Sequence, residues 1–285
     1  MEKQEKLAEK TEYSVLPLRN TVLFPQQIIP IYIGRDQSVK LVESLPKTGK
    51  KMIVVVAQKD GAIENPGPED LFQHGTLAMV MKVFNMPDRQ KSALVQGFAR
   101  VKINQYIQKE PYFTATIDRL SNYLEKSISL EALTSNLYDI YKKLVEIAPY
   151  LSDEQMKLMI NVSKPSDLAD RAIWQMNIAT NEKQKVLELL DVKKRIEKST
   201  VIVNREIQRI KLSEKIQTDV QDEISKSQRE YYLREQMKAI RKELGEDEPS
   251  VEVNELEEKV LKAEMPKDVL KVAKKELTRL KRIPS

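Results

Sequence analysis

The sequence predicts an α+β fold: a small β-rich domain with one helix, then a helical bundle, a long projecting helix and a C-terminal helical segment. Three observations carry this. Up to Leu120, short runs rich in Val, Ile and Tyr alternate with turn residues, as strands do. From Tyr123 onward, apolar residues recur three and four apart instead, which places them on one helix face. From Asp191 to Leu244 there is neither proline nor glycine, so nothing in the sequence interrupts a helix.

Six strands are predicted, over Ser14–Leu18, Ile28–Ile33, Met52–Ala57, Gly75–Phe84, Ala93–Tyr106 and Tyr112–Leu120. Met86-Pro87-Asp88-Arg89 breaks two of these runs and reads as a hairpin loop, and Glu64–Asp70 reads as a plain loop. One helix, Asp36–Leu45, interrupts the strands; Asp36 is its expected cap, and it stops before Pro46. Helical spacing then runs over Ile128–Ile147 and ends at Pro149. Ser152 with Gln155 forms a capping box opening the next helix. Asp167–Ala179 is another helix, and Thr180 or Asn181 caps the one after it.

Apolar residues in the long segment recur at Ile196, Val203, Ile207, Ile210, Ile216, Val220, Ile224 and Tyr231. That narrow stripe continues through Leu233, Met237, Ile240 and Leu244, where Gly245 can end the helix. A helix of this length runs roughly 80 Å at 1.5 Å per residue, too long for one domain to bury. It is expected to pair with another chain or with its own return segment. Beyond it, Val253–Ala263 and Lys267–Lys281 are expected as helices separated at Pro266. The domains are therefore a disordered tail at 1–12, a β-rich domain at 13–120 and a bundle at 123–190. The long helix follows at 191–245 and a helical segment at 250–285.

Composition narrows the function. The charge of +5 comes from 48 basic and 43 acidic residues, interspersed rather than concentrated as in a dedicated nucleic-acid module. With no cysteine and one histidine, disulfides, thiolate sites and multi-histidine metal sites are excluded. The first residues, MEKQEKLAEKTEY, carry both signs and no apolar core, so they are not a secretory signal; the expected setting is cytoplasmic. No run approaches the ~18 apolar residues of a membrane-spanning helix, and no membrane contact is expected.

Motifs of known chemistry fail on inspection. Ser44-Leu45-Pro46-Lys47 and Lys47-Thr48-Gly49 match two elements of the penicillin-binding signature, but share a lysine that cannot serve both. Thr48-Gly49-Lys50-Lys51 lacks the first glycine and the hydroxyl of a phosphate-binding loop. His74 has no acidic or nucleophilic partner nearby in sequence, and Trp174 lies on an apolar helix face. The basic clusters Lys193-Lys194-Arg195 and Arg279–Arg282 could touch phosphates, though acidic neighbours dilute both. Phe24, Pro25, Met86 and Pro87 sit in turns, where large apolar side chains are hard to bury. They are the candidate apolar binding patch. The candidate self-association stripe is Ile210, Ile216, Val220, Ile224, Tyr231, Leu233, Met237 and Ile240.

Two strings carry a family resemblance. Gln228–Glu246, QREYYLREQMKAIRKELGE, closely resembles the segment that precedes the ATPase module of Lon proteases. Leu16–Pro25, LPLRNTVLFP, resembles the opening of the Lon N-terminal substrate-binding domain. The resemblance spans Tyr13 to Pro284. It implies the substrate-capture and assembly portion of a hexameric ATP-dependent serine protease. The implied partners are unfolded or damaged proteins and further copies of the chain. ATP and Mg would serve the parent protein, and neither they nor any metal is expected to bind this segment. The family's Walker motifs and serine–lysine dyad have no counterpart up to Ser285, so no catalytic residue is assigned. Two alternatives stand beside this reading: a nucleic-acid-binding module and a purely structural coiled-coil tether.

Overall fold

The computed structural model describes residues 12–46, 48–86, 90–125, 127–160, 162, 164–243, 251–263 and 265–280. They form two compact units, one up to Lys211 and one from Leu212. Most of the expected tail, Lys47, Pro87 and Leu244 lie outside the described residues; Glu12, placed in the tail by sequence, starts the first strand.

The first unit opens with β1 (Glu12–Leu18), β2 (Ile28–Ile33), α1 (Asp36–Ser44), β3 (Met52–Ala57), β4 (His74–Asn85), β5 (Lys91–Gln108) and β6 (Phe113–Leu120). Strand order is β2-β5-β4-β3-β1-β6, with β6 also pairing with β5. The strands β5-β4-β3-β1-β6 therefore close into a ring, with β2 laid along the first half of β5. The 18 residues of β5 make this possible: Lys91–Gln96 face β2, and Arg100–Gln108 face β6. Register shifts at Leu77/Ala78 and Val80/Lys82 of β4, and at Ile103/Gln105 of β5, supply the bends that closure needs. Strand β3 reads MIVVVA with its last five residues buried. Its side chains serve both faces, Val54 and Val56 inside the ring, Ile53 and Val55 under α1. Gly75 and Gly97 are required by close approach. A Cβ there would stand 2.4 Å from Val55 O and 2.2 Å from Phe24 O.

The bundle follows as α2 (Ile128–Ile147), α3 (Asp153–Ile160), α4 (Pro165–Trp174) and α5 (Thr180–Glu188), packed with the start of α6 (Val192–Glu243). Ser127 caps α2 by accepting from Leu130 N, and Gln155 reaches back to Ser152 N at 2.9 Å, as the capping-box reading requires. Three expectations need correction. Neither Thr180 nor Asn181 caps α5: Ala179 holds the cap position, with no side-chain hydrogen bond. Asp36 does not cap α1: the cap position is Arg35, with no side-chain hydrogen bond, and Asp36 is the first helical residue. Helix α4 runs Pro165–Trp174 rather than Asp167–Ala179, because Pro165 suits a first turn and Met176 N turns back onto Ile173 O.

The boundary at 190/191 also shifts. Val192, Ile196, Ile202, Val203 and Ile210 of α6 are buried in the bundle core, and the long helix up to Lys211 belongs to the first unit. The second unit holds the rest of α6 with α7 (Val251–Lys262) and α8 (Lys267–Leu280), which pack on each other and bury Leu277. Among the described residues, no helix is long and apolar enough to cross a membrane.

Candidate functional site

The turn after β1 is a seam between sheet and bundle. Val22, Leu23 and Phe24 are all buried, and the Phe24 ring lies 6.3 Å from that of Trp174 in α4. Thr76 Oγ1 donates to Leu23 O, Gln26 N to Gly97 O, and Gln26 Nε2 to Asp167 Oδ2 at 2.8 Å. Phe24 is thus 0% exposed, which removes it from the candidate patch. The turn is covered by the bundle, a long-range contact that its sequence does not announce. Nor do Pro25 and Met86 meet. Pro25 is half-buried beside Gly97, whereas exposed Met86 donates its N–H to Gln90 O at the far end of β5. Seven residues of strand separate Gly97 from Gln90, roughly 23 Å at 3.3 Å each.

A second buried feature fixes sheet to bundle. Arg100 of β5 forks onto Asp170 of α4 (2.9 and 2.6 Å) and gives its Nε to Leu187 O. Arg195 of α6 reaches the same carboxylate at 3.5 Å and also bonds Leu189 O and Asn122 Oδ1. All three charged residues are buried. Burial pulls the Arg195 guanidinium down to about 10, against the attraction of Asp170. Of the cluster Lys193-Lys194-Arg195, the two lysines are exposed on the helix face and the arginine is an internal tie. Among the described residues, no carboxylate–histidine cluster could hold a metal. His74 does have an acidic neighbour, Glu188 Oε1 at 3.9 Å, contributed by α5. Ser44 donates to Leu41 O at the end of α1, as a helix terminus does.

What the sheet leaves open is the outer face of β2-β5-β4. Cross-strand partners share a face, and the register gives rows Tyr32–Ser92–Phe84 and Pro30–Leu94–Lys82. Ile31, Ile33, Ala93 and Val95 alternate with these and fill the core below. Tyr32 is 61% exposed, Ile28 50% and Phe84 44%, with Met81 in the β4 bulge and Met86 past its end also exposed. Lys82 Nζ sits over the Phe84 ring, 5.0 Å from its centroid. Among the described residues, the arrangement is a sheet face with several exposed apolar side chains and Lys82 beside Phe84. Sequence reasoning missed Ile28, Tyr32 and Phe84, although their alternation with the buried isoleucines was available as a period-two signal.

Residues 12–205 match the family model described as the ATP-dependent protease La (LON) substrate-binding domain. The chain belongs to the Lon substrate-binding domain family. A Lon protease of Dictyoglomus thermophilum is 38% identical over 271 residues, covering 95% of this chain and 34% of that protein. A Lon protease of Koribacter versatilis is 41% identical over 279 residues, covering 97% of this chain and 34% of that protein. The chain thus spans about a third of the length of these relatives. Its fold is similar to a structure titled the N terminal domain of Mycobacterium avium complex Lon protease. That match has a TM-score of 0.53 and 18% identity, over 69% of this chain and 98% of the other. The Lon-like string LPLRNTVLFP is the seam just described, and QREYYLREQMKAIRKELGE begins in the exposed part of α6.

Along α6, Ile210 is buried, which takes it out of the candidate stripe. Its packing is against the bundle. Ile216, Val220, Ile224, Tyr231, Leu233, Met237 and Ile240 are all exposed, between 46% and 68%.

Proposed function

We propose that the outer face of β2-β5-β4 captures exposed apolar segments of unfolded or damaged proteins for a Lon-type, ATP-dependent serine protease. The observation that supports this most is the exposed row Tyr32–Ser92–Phe84 with its neighbours Ile28, Pro30 and Met81, on a domain of the Lon substrate-binding family. Unfolded chains share exposed apolar segments and little else. A receptor for them needs apolar patches of modest strength, so that clients can move on.

In this reading the exposed apolar positions of α6 past Ile210 meet those of other copies, in a hexamer for the parent protein. Several copies raise the effective client concentration and compensate for weak single sites. The parent would hydrolyse ATP with Mg in the cytoplasm, pass clients to its AAA+ ring and cut them with a serine nucleophile, all outside this chain.

The test is binding of an unfolded model protein against a folded control. Burying a Phe-sized side chain is worth ~1.5–3 kcal/mol, so Tyr32→Ser and Phe84→Ser should each weaken client binding roughly tenfold or more. Both side chains are largely outside the core, so circular dichroism should be unchanged. Undiminished binding by both folded variants would refute the assignment.

A further inference from the structure

A groove of about 410 Å3 lies beside the same β2 strand, within the range of ligand-binding clefts. One wall is β1 from Leu16 to Arg19, the other β2 from Ile29 to Ile33, and Arg35 and Ser38 of the α1 start close one end. Both walls are free strand edges. Strand β6 pairs with β1 only over Glu12–Val15, and β2 pairs only with β5. Each edge carries a proline, Pro17 and Pro30, which lacks an N–H to donate. Leu18 O accepts from Gln58 N on the β3 side, so Pro17 turns its nitrogen toward the groove. Such edges resist the addition of a whole strand. A short chain end, held by something other than a backbone ladder, suits them better.

The polar groups in the groove lack a counter-ion. Arg19 makes no hydrogen bond or ion pair among the described residues. Arg35 gives one hydrogen bond, from Nη2 to Gln58 Oε1 at 2.6 Å, and Gln58, itself 1% exposed, is anchored to Ile63 O at 3.0 Å. Arg35 loses its proton more easily than a free arginine, through burial first and the charge of Arg19 second. Among the described residues no acid lines this groove; Asp36 lines a neighbouring cavity that Arg35 and Ser38 also border. The first helical residues, Asp36 and Gln37, line that neighbouring cavity, and no side chain caps α1. Ser38, in that first turn, borders both cavities; the residue is 7% exposed, its hydroxyl still meets solvent, and it has no hydrogen-bond partner among the described residues. Two guanidinium groups that no carboxylate of the groove lining neutralises, with a serine hydroxyl beside them that no protein group satisfies, call for an anion with acceptor oxygens. The walls supplied by Leu16, Leu18, Ile29 and Tyr32 call for an apolar side chain attached to it.

We propose that this groove receives the C-terminal carboxylate of an unfolded client chain, held by Arg19, Arg35 and the Ser38 hydroxyl. It rests on the client-capture reading and adds a polarity to it: the chain end docks beside α1 while the segment preceding it lies on the apolar sheet face. Gln58 acts as a positioning residue for Arg35.

The test compares one labelled apolar peptide as free acid and as C-terminal amide, titrated with the full chain. The free acid should bind roughly tenfold tighter, the ratio that one charge-assisted hydrogen bond supplies. Arg19→Gln with Ser38→Ala should bring the acid down to the amide's affinity, whereas Phe84→Ser should weaken both forms alike. Equal binding of acid and amide by the unaltered chain overturns the carboxylate site and leaves client capture standing. Binding of neither form overturns both. Inorganic phosphate that weakens the acid's binding while leaving the amide's unchanged supports an anion site shared with the carboxylate. Phosphate binding at Arg19 and Arg35 with acid and amide still equal replaces the chain end with a phosphate-bearing ligand.

Discussion

Helix α6 is two regions in one element. Over Val192–Ile210 its apolar positions Val192, Ile196, Ile202, Val203 and Ile210 are at most 8% exposed, each set in the bundle core. From Leu212 to Glu243 every side chain described is exposed, including Ile216, Val220, Ile224 and Ile240. The spacing of apolar residues is similar in the two halves, and neither contains a helix breaker. What differs is the presence of a neighbour. The first half is also pinned by polar ties, Arg195 to Asp170 and Tyr150 Oη to Glu206 Oε1 at 3.0 Å, with Arg209 closing on the same carboxylate. Periodicity thus declares that a helix has a face to cover, and says nothing about what covers it.

The largest effect should come from the buried charges on the packed side of that division. Asp170→Ala leaves two buried guanidinium groups without their carboxylate and should cost ~3–5 kcal/mol in urea unfolding of the first unit. Next, Phe24→Ala should cost ~3–5 kcal/mol, because the ring fills the seam against Trp174. A client-binding loss from this variant without any loss of stability would return Phe24 to the exposed patch.

The sharpest contrast lies within α6. Ile202→Ala should destabilise by ~2–5 kcal/mol, whereas Ile224→Ala at high dilution should stay within ~0.5 kcal/mol of the unaltered chain. Replacing Ile216 and Val220 with Asp should abolish self-association in sedimentation while leaving the first unit's unfolding midpoint unchanged. An identical monomeric species before and after the change would show that the exposed half has no partner in its own kind.

A smaller effect is set by pH. Burial, reinforced by the hydrogen bond to Glu206, pushes the Tyr150 phenol up from 10.0 to about 12. Burial also raises Tyr106 and Tyr141. These groups favour the folded state while neutral, so their contribution is whole below pH 10 and fades as pH rises through the folded value. Stability of the first unit should therefore fall with a steep alkaline limb, and Tyr150→Phe should make that limb shallower between pH 10 and 12. An unchanged slope would show that Tyr150 ionises in the folded protein as freely as in the unfolded one.

Much of the fold was legible because its signals are local. Strands β2 and β3, and helix α2, fall on their expected residues, since β-branched runs, capping residues and prolines mark them directly. The candidate site was less so. Phe24 and Met86 look alike in sequence, each beside a proline in a turn. One is sealed by a helix about 150 residues later and the other is open. Arg100, Asp170 and Arg195 come from three distant segments and meet only in the folded core. The outer sheet face failed to stand out for a different reason: alternation marks two faces, and only the register of β2 on β5 and β5 on β4 brings Tyr32 and Phe84 into one row.

The central claim, that clients dock on the β2-β5-β4 face rather than on the exposed half of α6, is open to direct mapping. An unfolded model protein carrying photoreactive groups would be cross-linked to the chain at low occupancy and the attachment sites read by mass spectrometry. The account predicts cross-links concentrated at Ile28–Tyr32, at Met81–Met86 and on Leu94. Cross-links concentrated between Ile216 and Ile240, with the sheet face unlabelled, would contradict it.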